Sequence, residues 1–295
     1  CAYRKKTDES LDILPSINTK YAVNENSNLR ASVSKTITRP VAMELLPINY
    51  INPDATSVSG NSNLLNSNNY NADFKYELFP NSKELFAIGA FGKLIEDPIE
   101  RVFKPTANSG GQITTFKNSE QAVIYGAEIE MILTLNRISE SLSNFTFGFN
   151  TSLMNTDVKI DLTKQGNELE NSKNRKLQGA SNWMINTDLK YEFTLNKEWK
   201  NTMTLVYNVY GDRIFAVGSS GMDHIYEKSF SKLDFVWSST LSKNIDLKFA
   251  AENLLNPYYR KELGKNSTID ITEDSLVLRE YKKGVGFSVN IGYTF

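Results

Sequence analysis

The feature that most constrains this chain is the two-residue period of its closing stretch, GFSVNIGYTF (286–295). Phe287, Val289, Ile291, Tyr293 and Phe295 alternate with Gly286, Ser288, Asn290, Gly292 and Thr294. In an extended strand each set lies on its own face, so one face meets an apolar medium and the other meets water. That medium is either a protein core or hydrocarbon.

The same period recurs upstream. SNWMINTDLKYEF (181–193) sets Trp183, Ile185, Leu189, Tyr191 and Phe193, with Thr187 as their one polar companion, against Asn182, Met184, Asn186, Asp188, Lys190 and Glu192. NYNADFKYEL (69–78), NFTFGFNTSL (144–153), NTMTLVYNVYGDR (201–213), SKLDFVWSSTL (231–241) and IDLKFAAENLL (245–255) behave alike. AVIYGAEIEMILTL (122–135) does so too, with Glu128 and Glu130 on its polar face. Segments 12–23, 27–38 and 83–95 are looser strands. About eleven strands are expected, most of them longer than the five or six residues typical of soluble sheets.

The connections separate a core from a bilayer. Counting back from Phe295, short links at 242–244, 196–198, 80–84 and 24–28, with a middling one at 136–144, alternate with long links at 256–275, 214–228, 156–180, 104–120 and 40–66. Tight turns at one end and long loops at the other are the layout of an outer-membrane barrel, whereas the Greek-key links of a sandwich follow no such rule. Aromatic residues gather near strand ends, at Phe79, Trp183, Phe193 and Trp199, where interfacial girdles lie. The expected fold is therefore all-β, an antiparallel transmembrane β-barrel whose apolar, odd-numbered tail face meets lipid.

Composition agrees with this. The net charge of −1 gives no electrostatic reason to expect nucleic acid. No stretch approaches the roughly 18 apolar residues of a spanning helix. The negative mean hydropathy is compatible with a membrane protein because barrel strands are half polar. A single cysteine offers no disulfide and no thiolate cluster. The opening CAYRKKTDES lacks an initiating Met and a signal-peptide core, which reads as a start partway through a longer protein; the lesser alternative makes Cys1 the lipid-bearing residue of a mature lipoprotein.

Several runs, taken in order, resemble TonB-dependent outer-membrane receptors. The residues are Ser34, Thr36, Thr38, Arg39 and Pro40 at a strand exit, then Glu44, Leu45 and Pro47, and then Gly60, Asn61, Asn63 and Leu64. DPIE (97–100), YGAEIE (125–130), GDRI (211–214) and NLLNPYY (253–259) follow. The resemblance covers the chain from residue 11 onward and is to the C-terminal half of the β-barrel domain. It implies that the eleven strands are the distal half of a 22-stranded barrel, with residues 1–10 ending an outer loop or marking a cut N-terminus. It further implies an upstream plug domain that engages the TonB energising complex, and uptake of a scarce or bulky ligand through the lumen. The terminal aromatics Tyr293 and Phe295 resemble the signal read by the barrel assembly machinery. The other partners implied are outer-membrane lipid and the transported ligand, in the outer membrane of a Gram-negative bacterium. A non-transporting barrel, acting in adhesion or as a scaffold for a surface lipoprotein, is the alternative; a soluble or fibre-forming β protein is a further one.

No catalytic residue and no cofactor is expected. Ser, His and acidic residues are present without a nucleophile motif, so an enzyme is not expected. Arg39–Pro40 reads as a strand end, since Pro removes a ladder donor. Glu128 and Glu130 read as solvated or paired across the wall. His224, the only histidine, lies in GSSGMDHIYEK (218–228) beside Asp223, too few ligands for a metal, and reads as a solvated loop residue. GSSG (218–221) and NSGG (108–111) lack the strand–loop–helix context of a phosphate cradle and read as loop glycines.

Overall fold

The computed structural model describes residues 11–51, 57–105, 112–160, 174–196, 198–219, 221–241, 244–264 and 276–295. Residues 1–10 and the NSGG run lie outside them. In chain order, β1 (Ser16–Asn24) and β2 (Ser27–Thr38) form a first hairpin. The next long link holds a one-turn helix, α1 (Ala42–Leu45), with β3 (Asn49–Ile51) and β4 (Ser57–Ser59). A second hairpin, β5 (Ser67–Leu78) and β6 (Leu85–Glu96), leads into β7 (Ile99–Pro105) and β8 (Gln112–Asn118). The third is β9 (Gln121–Thr134) and β10 (Phe145–Lys159), followed by the two-residue β11 (Asn174–Arg175). The fourth is β12 (Trp183–Leu195) and β13 (Trp199–Tyr210), followed by β14 (Arg213–Gly218) and β15 (Ile225–Glu227). The last is β16 (Phe230–Thr240) and β17 (Ile245–Glu252), then β18 (Tyr258–Leu263), β19 (Val277–Lys282) and finally β20 (Gly286–Tyr293).

The hairpin strands make one antiparallel wall in the order β1-β2-β5-β6-β9-β10-β12-β13-β16-β17-β20, with β11 a short flap on β10. All eleven expected strands are therefore present. Register follows from the two-residue period, because a one-residue slip would turn every apolar side chain to the polar side. One row runs Phe147, Leu189, Leu205, Phe235 and Ala251 to Phe287 across six strands. A second runs Tyr76, Ile88 and Ile129. These faces stay open: Phe74, Ile88, Ile129, Leu205, Phe287 and Ile291 are all exposed, a surface that only a nonaqueous medium would cover. The opposite face carries ion pairs, Arg30 with Glu77 on the adjacent strand at 2.7 Å and Lys75 with Glu130 across β6 at 2.7 Å. Among the described residues β1 and β20 each have one neighbour, so the wall is an open arc; in hydrocarbon such edges need pairing.

The long links depart from expectation. They read as loops from the sequence, yet four of them contribute strands to a second, eight-stranded sheet in the order β19-β18-β15-β14-β7-β8-β4-β3. These strands prolong the wall hairpins past a kink. Asp97 (φ 54°) separates β6 from β7, Asn253 (φ 59°) and Asn256 (φ 43°) separate β17 from β18, and Gly284 (φ 87°) separates β19 from β20. Asn, Asp and Gly are the residues that enter the left-handed region at least cost, so the change of direction is written there. The 245–255 pattern accordingly stops early, at Glu252, and the 201–213 pattern ends at Tyr210. Small apolar clusters hold the second sheet. Phe103, Ala216, Ile225 and Leu263 form one, and Val58, Leu64 and Phe116 another.

Candidate functional site

Above the polar face, the link after β10 folds back as a strap. Leu177 and Ala180 pack with Ile95, Ala122, Ile124 and Val158, the outermost polar-face positions of β6, β9 and β10. The Leu177 amide donates to Thr156 Oγ1 at 3.0 Å. The strap then joins two other links. Gln178 donates its Nε2 to the Phe215 carbonyl (3.1 Å) and accepts the Arg101 amide on Oε1 (3.2 Å), while the Gly179 amide donates to the Ile214 carbonyl at 2.8 Å. Direct pairing between those links is slight: β7 and β14 run parallel over only two residue pairs, Val102 with Val217 and Phe103 with Gly218.

One ion pair fastens this junction. Arg175 donates through Nη1 and Nη2 to the two oxygens of Glu100 at 2.8 and 2.7 Å, and the side chains are 3% and 1% exposed. The Ser119 hydroxyl and the Gln178 amide (3.1 Å) also donate to Glu100. Burial pushes the Glu100 carboxyl up, but the guanidinium and the hydroxyl outweigh it and hold the group below the ordinary carboxylate range. Glu100 stays charged, and its partner is fixed by two parallel bonds.

Beside the strap, aromatic rings and cations line the same face. Tyr210 and Phe230, cross-strand partners at the outer ends of β13 and β16, lie on the polar face of the wall. Phe230 meets Tyr259 at 6.2 Å, and Tyr259 meets Tyr281 at 5.1 Å between ring centroids. Next to these runs a row of cross-strand partners: Arg279, Lys261, Glu227, Arg213. Glu227 accepts from Tyr210 Oη at 2.7 Å and from Arg213 at 2.9 and 3.2 Å. Burial raises its carboxyl, yet Arg213 and Tyr210 bring it below the usual value. Tyr259 is pushed up to about 12 by burial and by the charge of Glu227. Phe215 carries Lys261 at 3.3 Å and Arg101 at 4.6 Å from its centroid, and Lys283 lies over Tyr259 at 4.9 Å. Such contacts hold cation heads against the ring faces by electrostatic attraction.

The residues singled out in the sequence fall as follows. Glu130 is paired across the wall with Lys75, and Glu128 is exposed. Arg39 follows the end of β2 and pairs with Asp12 at 2.7 Å. His224 is not a solvated loop residue: it is half-buried, and its Nδ1 accepts the Gly218 amide at 3.0 Å, closing the turn between β14 and β15. Gly218 is required there, since a Cβ would lie 2.2 Å from the carbonyl oxygens of both Met222 and Asp223. No cluster of three or more acidic, His or Cys side chains that could hold a metal occurs among the described residues. Tyr293 pairs with Ile245 at the far end of the wall, and the fully exposed Phe295 stands edge-on to it at 4.9 Å. Arg175 and Gln178 had no sequence signal, whereas Glu100, Arg213 and Tyr259 lie in the DPIE, GDRI and NLLNPYY runs.

Comparison with known proteins agrees with this architecture. The ferric enterobactin receptor PfeA of Pseudomonas aeruginosa superposes with a TM-score of 0.57 at 16% identity, over 96% of this chain and 40% of that one. The siderophore receptor PirA of Acinetobacter baumannii gives 0.54 at 17% identity, over 96% and 41%. The copper transporter OprC gives 0.61 at 14% identity, over 95% and 39%. At these identities the likeness is one of fold, and the chain spans about 40% of the length of these structures. No curated protein matches by sequence. The family model for outer membrane protein beta-barrels matches residues 3–288. With its wall of eleven antiparallel strands, an apolar face turned to lipid and its place in the outer membrane of a Gram-negative cell, the chain belongs to the outer membrane protein beta-barrel family.

Proposed function

We propose that residues 11–295 form the C-terminal half of the barrel of a TonB-dependent receptor, which takes up a scarce or bulky ligand with energy supplied from the inner membrane. The TonB complex acts through a plug domain elsewhere in the protein, and the barrel assembly machinery reads Tyr293 and Phe295. This half supplies lumen wall and outer binding surface and makes or breaks no covalent bond.

The observation that carries the reading is the construction of the outer mouth. Four links interlock as one sheet, and a strap from the fifth lies on the polar face of the wall, fastened by Glu100 and Arg175. The rings and cations beside it continue the polar face of β13 and β16. A surface turned toward the lumen serves a ligand that enters it; adhesion or scaffolding needs groups turned outward. Fold likeness to siderophore and copper receptors supports the same class without naming the ligand.

The test is depletion of a chemically mixed medium by cells with and without the protein, each with TonB intact or deleted, followed by mass spectrometry. The expected result is at least one compound whose depletion requires both. If depletion is indifferent to TonB, or no compound depends on the protein, the receptor reading fails and a non-transporting barrel takes its place.

A further inference from the structure

We propose that the apolar face of β1, β2, β5 and β6 retains one anionic lipid of the outer leaflet, with an acyl chain seated in a hollow over Ala72 and Gly92 and the phosphate at Lys35. The site is on the outside of the wall and stands apart from ligand uptake.

The hollow follows from the cross-strand rows. Ile17, Val33, Ala72 and Gly92 are successive partners in one row. The next row toward the short turns runs Thr19, Ala31, Phe74 and Ala90. Both belong to the face that carries the exposed Ile88 and Ile129. Alanine and glycine fall short of such side chains, so Ile17, Val33 and Phe74 stand around a depression of about 340 Å³. A Cβ built on Gly92 meets nothing within 4 Å, so the space above that residue is open.

Size selects the kind of occupant. Two rows on four strands span about 7 Å by about 14 Å, from strand rise and spacing. A protein partner, a second copy of this chain included, needs about 800 Å² on each side, several times that floor. An acyl chain needs no more than the hollow offers, and it arrives with the hydrocarbon that covers this face.

Charge selects the lipid. Lys35 lies on the same face, two residues outward of Val33, and its Nζ sits 5.7 Å from the centre of the Tyr70 ring. Among the described residues it makes no ion pair; Glu96, the nearby carboxylate, accepts from Tyr70 Oη at 3.3 Å. One row further out the face turns polar, with Asn68, Glu96 and Gln121 as partners. The edge of the hydrocarbon therefore falls at Lys35 and Tyr70, the level that aromatic girdles occupy, and the short turns place the opposite end in the periplasm. An ammonium at headgroup height, held against a ring and directly outward of an open hollow, suits a phosphate whose chain descends beside it.

The experiment uses the protein purified from outer membranes and stripped of lipid by detergent exchange. Phosphatidylglycerol or phosphatidylcholine of equal chain length is added, and native mass spectrometry counts the lipids retained. The proposal expects one phosphatidylglycerol to be retained at a concentration where phosphatidylcholine is not. Lys35→Gln should weaken that retention about fivefold, the effect of one cation at a lipid surface. Gly92→Leu fills the hollow from an open position and should abolish retention. Lys83→Gln, in the turn between β5 and β6, should change nothing. Heat-modifiable gel mobility identifies variants that remain folded, and Ala90→Leu replaces Gly92→Leu if the latter does not fold. No retained lipid, equal retention of both lipids, or unchanged retention in the folded Gly92→Leu or Lys35→Gln protein overturns the proposal. A dimer that Gly92→Leu dissolves overturns it as well and gives the hollow to a second copy. None of these outcomes bears on TonB-dependent depletion, so the receptor reading stands or falls separately.

Discussion

Arg175→Met tests whether the outer mouth is one mechanical unit. The wild-type pair is 3% and 1% exposed, joined by two bonds of 2.8 and 2.7 Å. Removing one partner of a buried pair costs about 3–5 kcal/mol, because the remaining charge is left uncompensated. Glu100 would keep the Ser119 hydroxyl and the Gln178 amide, so the lower half of that range is expected. The effect is local, since neither residue belongs to the long ladders of the wall. At about 1.4 kcal/mol per factor of ten, amide exchange at 99–103 and 176–179 should quicken roughly a hundredfold or somewhat more, while exchange in β12 and β13 stays unchanged. Arg175→Met/Glu100→Leu should recover most of the protection, because an apolar pair of similar volume is often neutral relative to a buried ion pair. Hydrogen-exchange mass spectrometry in detergent reads all three proteins, and the coupling follows from the cycle. Unchanged exchange in the single variant, or a double variant as fast as the single one, would refute the idea that this pair fastens three links.

Other expectations follow from single sites. Gly218→Ala places a methyl 2.2 Å from two backbone oxygens, so the His224 turn should open at a cost of about 1–3 kcal/mol, seen as new protease cleavage near residue 219. Glu84, in the turn after β5, has its carboxyl lowered to about 2 by Arg137 and Thr134. A depressed pKa gives stability that is complete above the unfolded value near 4.3 and lost as pH falls toward 2. The melting difference between wild type and Glu84→Gln should therefore vanish across that window; a constant difference would exclude the ion pair as its cause. Leu205→Lys, mid-strand on the apolar face between Leu189 and Phe235, should cost about 2–4 kcal/mol in detergent-to-bilayer folding assays. Thr202→Lys, facing Glu192 on the polar side, should cost little. Deleting Phe295 should lower outer-membrane yield, and normal yield would count against an assembly role.

The wall was legible because lipid and water impose a choice on every second residue. Trp183, Ile185, Leu189 and Tyr191 could share only one face, and the observed partners Leu153, Thr151, Phe147 and Phe145 follow from that choice plus a short turn. The strand ends were less legible. Asn253 and Asn256 stood out only as part of the NLLNPYY run, yet their left-handed backbone stops β17 and turns the chain into β18.

The outer mouth obeys no such alternation, which explains why the sequence conceals it. Its strands are three to seven residues long and pair across distant links. Their register is decided by individual contacts, as when Glu100 meets Arg175 from 75 positions away in a stretch otherwise rich in Lys, Asn and Gly. No medium penalises a polar residue there, so composition carries little information about which charge is buried and which is presented. The same freedom allows Arg101 and Lys261 to share the Phe215 ring without weakening the wall, because the ladder below is secured by its own pairing. A barrel of this kind separates two demands: the bilayer dictates the strands, and the links are left to pair among themselves.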